Sequence, residues 1–272
     1  MKWFFCWCQD TEFHKDHGWP DLIRVAVHSA LQHTDLEPHF IYDGKPSDLT
    51  CELERAGVKI HYHRLTFTDV LTAYSPDTTY QAIARGAFLR FDIPLFAGSD
   101  NFVLYTDADV IFRERIDLKG YRPEFIAAAP QFERGGIRDM NSGVMVMNVA
   151  AWRARRSELL DFTARNIHLG LDQEVLREFI GLHYLLLPDR FNWKPYWGVN
   201  QDAAIIHWHG PKPAAAARWL ADPGYVTHMG WMPLLELGRE SYAWCLKQHE
   251  TLLNGWRERM ALMGRGASQR GR

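Results

Sequence analysis

Between residues 2 and 105 the chain sets four short apolar runs apart with three stretches of helical periodicity. This alternation constrains the fold more than any other feature. The first run, "KWFFCWCQ", is apolar at successive rather than alternate positions, as in a strand covered on both faces. The others are "PHFIYDG", "VKIHYHRL" and "NFVLY". Between them, residues 20–33 carry Leu22, Ile23, Val25, Ala26, Val27, Ala30 and Leu31, a broad apolar helix face. "SDLTCELERAG" predicts a helix with Ser47 as N-cap and Gly57 as its stop. Residues 80–96 predict another, stopped near Pro94. Strands alternating with helices give an α/β fold with a mainly parallel sheet and helices on both faces.

The rhythm continues with strands in "EFIAAAP", "SGVMVMNV", "HYLLLP" and "AAIIHWHG", and with helices in "AAWRARRSELLDFTARNI" and "DQEVLREFIG". From residue 231 the pattern is helical, with Trp244, Leu246, Leu252, Leu253, Trp256, Met260 and Met263 available for packing. No internal repeat or Pro/Gly-rich linker divides the chain. One domain is therefore expected over 1–230, with a packed helical segment over 231–263 and a disordered Gly/Arg tail over 264–272. With 31 Lys and Arg against 33 Asp and Glu, the net charge of −2 gives no electrostatic case for a nucleic-acid partner. Cys6 and Cys8 have no zinc-site spacing around them and read as reduced, buried thiols. "MKWFFCWCQD" is interrupted too soon for a signal peptide, and no run approaches the ~18 apolar residues of a membrane span, so a cytoplasmic protein is expected. Residues 247–272 hold six Lys or Arg and two Glu, a net of +4, beside Trp and Leu. That segment is open to peripheral membrane contact or to ordinary helix packing.

"NFVLYTDADVIF" places Asp107 and Asp109 between apolar residues, with "VIF" reading as the strand's continuation. Alternate residues of an extended chain share a face, so two like charges point the same way beside a core. Burying them without a partner is costly. In sheets of this class ligands gather at the carboxyl ends of strands. A divalent cation would offset both charges, and oxygen ligands suit Mg2+ or Mn2+. The alternative is a solvated turn whose acids cap a following helix.

Other clusters carry chemistry with an equally plain structural alternative. In "AAIIHWHGPKP", His207 and His209 flank Trp208, a neutral imidazole ligates Mn2+-class metals, Gly210 allows close backbone approach, and Lys212 offers a point charge to a phosphate. Strand-end histidines and a solvated lysine would look the same. Asn141, Ser142 and Gly143 form either a turn or a polar knot for sugar hydroxyls. Asp172 and Gln173 open a helix, where Asp172 serves as N-cap or as a catalytic group. Arg90, in "AFLRFDIP", pairs with phosphate in a pocket or is an ordinary ion-paired arginine.

In this order over residues 80–213, "AFLRFDIPLF", "VLYTDADVIF", "MNSGVMVMNVAAW", "LDQEVL", "FNW" and "IIHWHGPKP" resemble the family 8 retaining glycosyltransferases, which include glycogenin and bacterial lipopolysaccharide galactosyl- and glucosyltransferases. The resemblance implies a GT-A fold binding a nucleotide sugar, usually a UDP-sugar. It implies that Asp107, Asp109 and His207 hold Mn2+ (or Mg2+) against the diphosphate, which Lys212 also contacts, and that Arg90 contacts the donor. Asn141, Asp172 and Gln173 would line the sugar side, with Gln173 nearest the reacting face. Gln9 and Asp10 stand nearest to the family's base contacts. The implied activity is metal-dependent hexosyl transfer, with retention, to a saccharide, lipid-linked or protein acceptor. A catalytically silent sugar-nucleotide-binding relative is the alternative. A nucleotidyltransferase would need a Gly-rich basic loop after the first strand, where "QDTEFHKDHGW" has none.

Overall fold

The computed structural model describes residues 1–13, 18–222, 224–227 and 230–270. The opening alternation is realised as β1 (Lys2–Cys8), α1 (Trp19–His33), β2 (Glu37–Asp43), α2 (Asp48–Arg55) and β3 (Lys59–Tyr62). Every β1 residue after Lys2 is buried because both faces are covered. Trp3, Phe5 and Trp7 pack with Ile23 and Val27 of α1, while Phe4 and Cys6 pack with Phe88, Leu89 and Phe91 on the other side. Ser47 and Thr50 cap α2 reciprocally, each hydroxyl accepting from the other's backbone N–H. Gly57, at φ +98°, ends that segment.

The chain goes on through α3 (Thr68–Tyr74), α4 (Thr78–Phe88), β4 (Phe102–Thr106), β5 (Val110–Phe112), β6 (Ile126–Pro130) and β7 (Met140–Asn148). It ends with α5 (Val149–Asn166), α6 (Asp172–Ile180), β8 (Leu185–Leu186), β9 (Ile205–His207), α7 (Pro213–Ala221), α8 (Met232–Leu237) and α9 (Arg239–Arg270). The main sheet has the order β3-β2-β1-β4-β7-β6-β8. Its first four strands are parallel, β7 runs antiparallel to β4 and β6, and β8 lies parallel to β6. This is the expected α/β architecture with a mixed, mainly parallel sheet.

Two departures from the sequence reading build the site. The helix expected over 80–96 ends at Phe88 and tightens into a 3-10 turn, Leu89–Leu95, that contains Pro94. Proline lacks an N–H and crowds the carbonyl four residues back, so a regular α-helix cannot run through it. The second concerns "LYTDADVIF", which does not form one strand. The chain breaks at 107–109, and β5 leaves the main sheet to pair antiparallel with β9, Val110 opposite His207. Buried carboxylates need partners that a sheet ladder cannot offer, and the break turns them toward such partners.

Elsewhere "HYLLLP" contributes only the two residues of β8, and the short α3 and the alanine-rich α7 are additional to the elements read from the sequence. Helix α9 lies against α1 and α7, burying Tyr242, Cys245, Leu246, Leu252 and Trp256. The tail expected over 264–272 falls, for its last two residues and for the side chains after Gly264, outside the described residues. Among the described residues no helix is long and apolar enough to cross a membrane.

Candidate active site

Three side chains from two distant segments converge at the carboxyl end of β4. The pairing of β5 with β9 brings the His207 ring to the two aspartates, and Trp208 N–H donates to the Asp109 carbonyl at 2.9 Å. His207 Nε2 lies 3.5 Å from Asp107 Oδ2 and 3.5 Å from Asp109 Oδ1. All three atoms lie within 4.8 Å of one another. On its far side, His207 Nδ1 meets Asn192 Oδ1 at 2.9 Å. A carboxamide oxygen can only accept, so Nδ1 carries a proton and, in the neutral ring, Nε2 turns its lone pair toward the two carboxylates. A lone pair facing two anions requires a proton or a cation between them. Burial works against the protonated ring, but Asp109 and Asp107 outweigh it and raise its pKa. Two carboxylate oxygens and one imidazole nitrogen are a donor set that suits Mn2+ or Mg2+.

The backbone is shaped around this cluster. A methyl group at Gly143 would stand 2.2 Å from His207 Cε1 and 2.8 Å from Asp107 Oδ2, and the Gly143 carbonyl accepts the Asp107 N–H at 2.8 Å. Gly143→Ala is therefore expected to push the imidazole off the acids and weaken Mn2+ binding about 100-fold, on the scale of disrupted support for metal ligands. Isothermal titration with Mn2+ reads this directly, and unchanged affinity would contradict the geometry.

The carboxylate oxygens that face away from His207 are held by cations. Asp107 Oδ1 accepts from Arg90 Nη2 at 3.0 Å and from Tyr105 Oη at 2.7 Å. Burial alone would raise the Asp107 pKa, but Arg90 and His207 outweigh it and hold the carboxyl well below the usual range. Asp109 Oδ2 accepts from Lys212 Nζ, which also donates to the Trp208 carbonyl at 2.7 Å. Arg90 is buried over the Tyr105 ring and reaches Asp172 Oδ2 at 2.9 Å, the Ser142 carbonyl and hydroxyl at 2.9 Å each, and the Ala87 carbonyl at 2.8 Å. The tightened turn before Pro94 carries Arg90, whose guanidinium clamps two acids.

Asp172 opens α6 without capping it; Leu171 is the N-cap, and the Glu174 side chain takes its N–H. The Asp172 carboxylate instead accepts from Ser142 Oγ at 3.0 Å and pairs with Arg90. Burial pushes its pKa up to about 6, Arg90 opposing and Asp107 assisting. Asp107, Asp109, Asp172 and Lys212 line a cleft of about 360 Å3, which Trp7, Trp19, Thr11 and Gly86 also line.

No family model and no curated protein matches the sequence. Solved structures do match. The glycosyltransferase GlyE of Streptococcus pneumoniae TIGR4 is similar at TM-score 0.58 and 18% identity, over 95% of this chain and 64% of that one. The galactosyltransferase LgtC, in complex with donor and acceptor sugar analogues, aligns at TM-score 0.58 and 17% identity, over 86% and 100%. Mouse xyloside xylosyltransferase 1 aligns at 0.55 and 17%, over 76% and 97%. The fold is the GT-A fold of glycosyltransferases. The chain spans just under two thirds of the length of GlyE.

Within this GT-A frame the expected site residues fall into two groups. Arg90, Asp107, Asp109, Asp172, His207 and Lys212 come together as one charged cluster, and Asn141 and Gln173 adjoin it. Gln173 Oε1 accepts from Asn141 Nδ2 and Ser142 N–H at 3.0 Å each, and its amide nitrogen donates to Gln131 Oε1. Asn141 Oδ1 accepts in turn from Asn192 Nδ2 at 2.8 Å. One hydrogen-bonded line thus joins His207 to Gln173 through Asn192 and Asn141.

Outside the cluster, Asp10 is exposed and pairs with Arg85, and Gln9 accepts the Lys45 N–H at 2.9 Å. Neither lines the cleft. Gly210, at φ +82°, shapes the loop before Lys212, and a methyl there would meet Leu234 Cδ1 at 2.8 Å. His209 turns away, its Nδ1 2.9 Å from Tyr196 Oη, which donates to the Gln131 carbonyl. Residues the sequence reading left out are Asn192, Gln131 and Tyr105, together with the cradle at Gly143. The signal for Asn192 was available in "FNW": an amide between two aromatics is buried and needs partners.

Proposed function

We propose that the chain is a metal-dependent glycosyltransferase that moves a hexose from a UDP-sugar to a saccharide, lipid-linked or protein acceptor with retention of configuration. The observation that carries this is the convergence of Asp107 Oδ2, Asp109 Oδ1 and His207 Nε2 beside a cleft at the carboxyl ends of parallel strands. Both the fold and the position match where nucleotide ligands bind in open α/β sheets. Asp107, Asp109 and His207 would hold the cation, which when bound supplies positive charge against the departing diphosphate.

The chain's own groups do the rest. Lys212 adds charge toward the diphosphate. Gln173 and Asn141, locked to each other, present fixed amides on the sugar side. Asp172 is tied to Arg90 and Ser142, and Asp107 and Asp109 are committed to the cation set. Among the described residues no carboxylate lining the cleft is left over as a dedicated nucleophile, which favours attack by the acceptor on the face the diphosphate leaves. Proton NMR of the product would show a retained anomeric configuration, and inversion would overturn this part of the reading.

A thermal-shift series of UDP, GDP, ADP and CDP with and without Mn2+ tests the class. Ligands that bind the folded state stabilise it by about 2.7 kcal/mol at a hundred times Kd. UDP with Mn2+ is expected to raise Tm by several degrees while UDP alone does little. The absence of a shift with every nucleotide in the presence of Mn2+ would reject the proposal.

A further inference from the structure

Arg90 and Lys212 both face the acidic cluster, yet they are held in different ways. Arg90 is 5% exposed, and each of its nitrogens donates to a fixed acceptor. Its rigid fork has no free position to move to. Lys212 has a flexible four-carbon stem and lines the open cleft, and among the described residues its ammonium makes two polar contacts, with Asp109 Oδ2 and the Trp208 carbonyl. Its ammonium also lies 5.3 Å from the centre of the Trp19 ring on the cleft wall. The loop that carries it turns at Gly210.

The geometry points to Lys212 as a resident counter-ion that is handed over on ligand binding, an inference that rests on the function proposed above. The ammonium neutralises Asp109 through Oδ2 while Oδ1 faces His207. A divalent cation at Oδ1 then shares one carboxylate with a second positive charge, and the two repel. A diphosphate entering the cleft offers the ammonium a richer set of anionic oxygens. Lys212 leaves Asp109 for the phosphate, the carboxylate's full charge returns to the cation, and the repulsion falls. Cation and nucleotide therefore each bind more tightly in the other's presence, and linkage makes that enhancement reciprocal. The same lysine that contacts the diphosphate would also restrain metal uptake in the absence of the nucleotide.

Isothermal titration of wild type and Lys212→Met with Mn2+ alone, with UDP alone, and with each in the presence of the other tests this. Circular dichroism melting serves as the fold control, and Lys212→Arg keeps the charge. Lys212→Met is expected to bind Mn2+ alone about 10-fold more tightly and to bind UDP in saturating Mn2+ about 10-fold more weakly. Lys212→Arg should stay near wild type in Mn2+ alone. If Lys212→Met binds Mn2+ no more tightly than wild type, Lys212 merely orients Asp109 and the inference is overturned. The wild type provides a check that needs no variant: Mn2+ and UDP binding independently would overturn the handover while leaving the glycosyltransferase reading standing. Wild type that binds neither ligand would reject that reading itself.

Discussion

Asp109→Asn is expected to lower kcat for sugar transfer, or for slow UDP-sugar hydrolysis, about 1000-fold, with little loss of Tm. Asp109 supplies one of the three atoms that face each other at the cluster, and a neutral carboxamide is a far weaker ligand for a hard cation. The fold should tolerate the change. Asp109 is buried close to Asp107, and that like charge opposes its ionisation even as burial does, with Lys212 and His207 offsetting both. Losing that charge gives up its attraction to Lys212 and His207, but it also relieves the repulsion from Asp107, and Lys212, whose stem borders the cleft, can turn to solvent. Turnover at the wild-type level, still dependent on Mn2+, would mean that the cation is held somewhere else.

Arg90→Met is expected to act mainly on stability. The arginine is buried between Asp107 and Asp172, and its removal leaves the buried Asp172 carboxylate, the partly exposed Asp107 carboxylate and the Ser142 carbonyl without their partner. Breaking a buried pair from one side costs about 3–5 kcal/mol. For a chain of this size that corresponds to a drop of roughly 10 °C in Tm. The pH dependence has a definite sign. Asp172 already titrates near 6 in the folded protein, above its unfolded value, so it favours folding at low pH and loses that contribution as pH rises through 6. Without Arg90 its folded pKa climbs further, so the variant should be nearer to wild type at pH 5 than at pH 7.5. Denaturant titration at the two pH values checks this. Arg90→Lys should not restore stability, since a single ammonium cannot reach acceptors on Ala87, Ser142, Asp107 and Asp172 together. Equal stability of Arg90→Met and wild type at pH 7.5 would show that the clamp is dispensable.

The parts of the molecule that could be read from sequence are those whose physics is local. β1, α1, β2 and α2 announce themselves because burial on both strand faces gives continuous apolar runs, and because Ser47 and Gly57 punctuate a helix by themselves. Asp107 and Asp109 stood out as charge where a core required none. What could not be read depends on partners remote in sequence. "VIF" looks the same whether it prolongs β4 or crosses to β9, and only the pairing with residues 205–207 decides. Arg90 advertises a charge but not its acceptors, so phosphate and internal carboxylates were equally open. Asp10 sits beside the first strand as a base contact would, but Arg85 on α4 takes its carboxylate. The stretch from Pro213, alanine-rich after a proline, did carry a helix signal of its own in α7.

The small β5–β9 ribbon also has a consequence for how the protein is made. All seven strands of the main sheet lie before Pro188, so a nascent chain could assemble that sheet before β9 is made. The imidazole that completes the acidic pair arrives only with β9. Until then Asp107 and Asp109 are two anions on an otherwise folded edge. A chain stalled before Ile205 would own the scaffold and lack the third member of the cluster, so the cation binding proposed above would report that β9 has been made and docked.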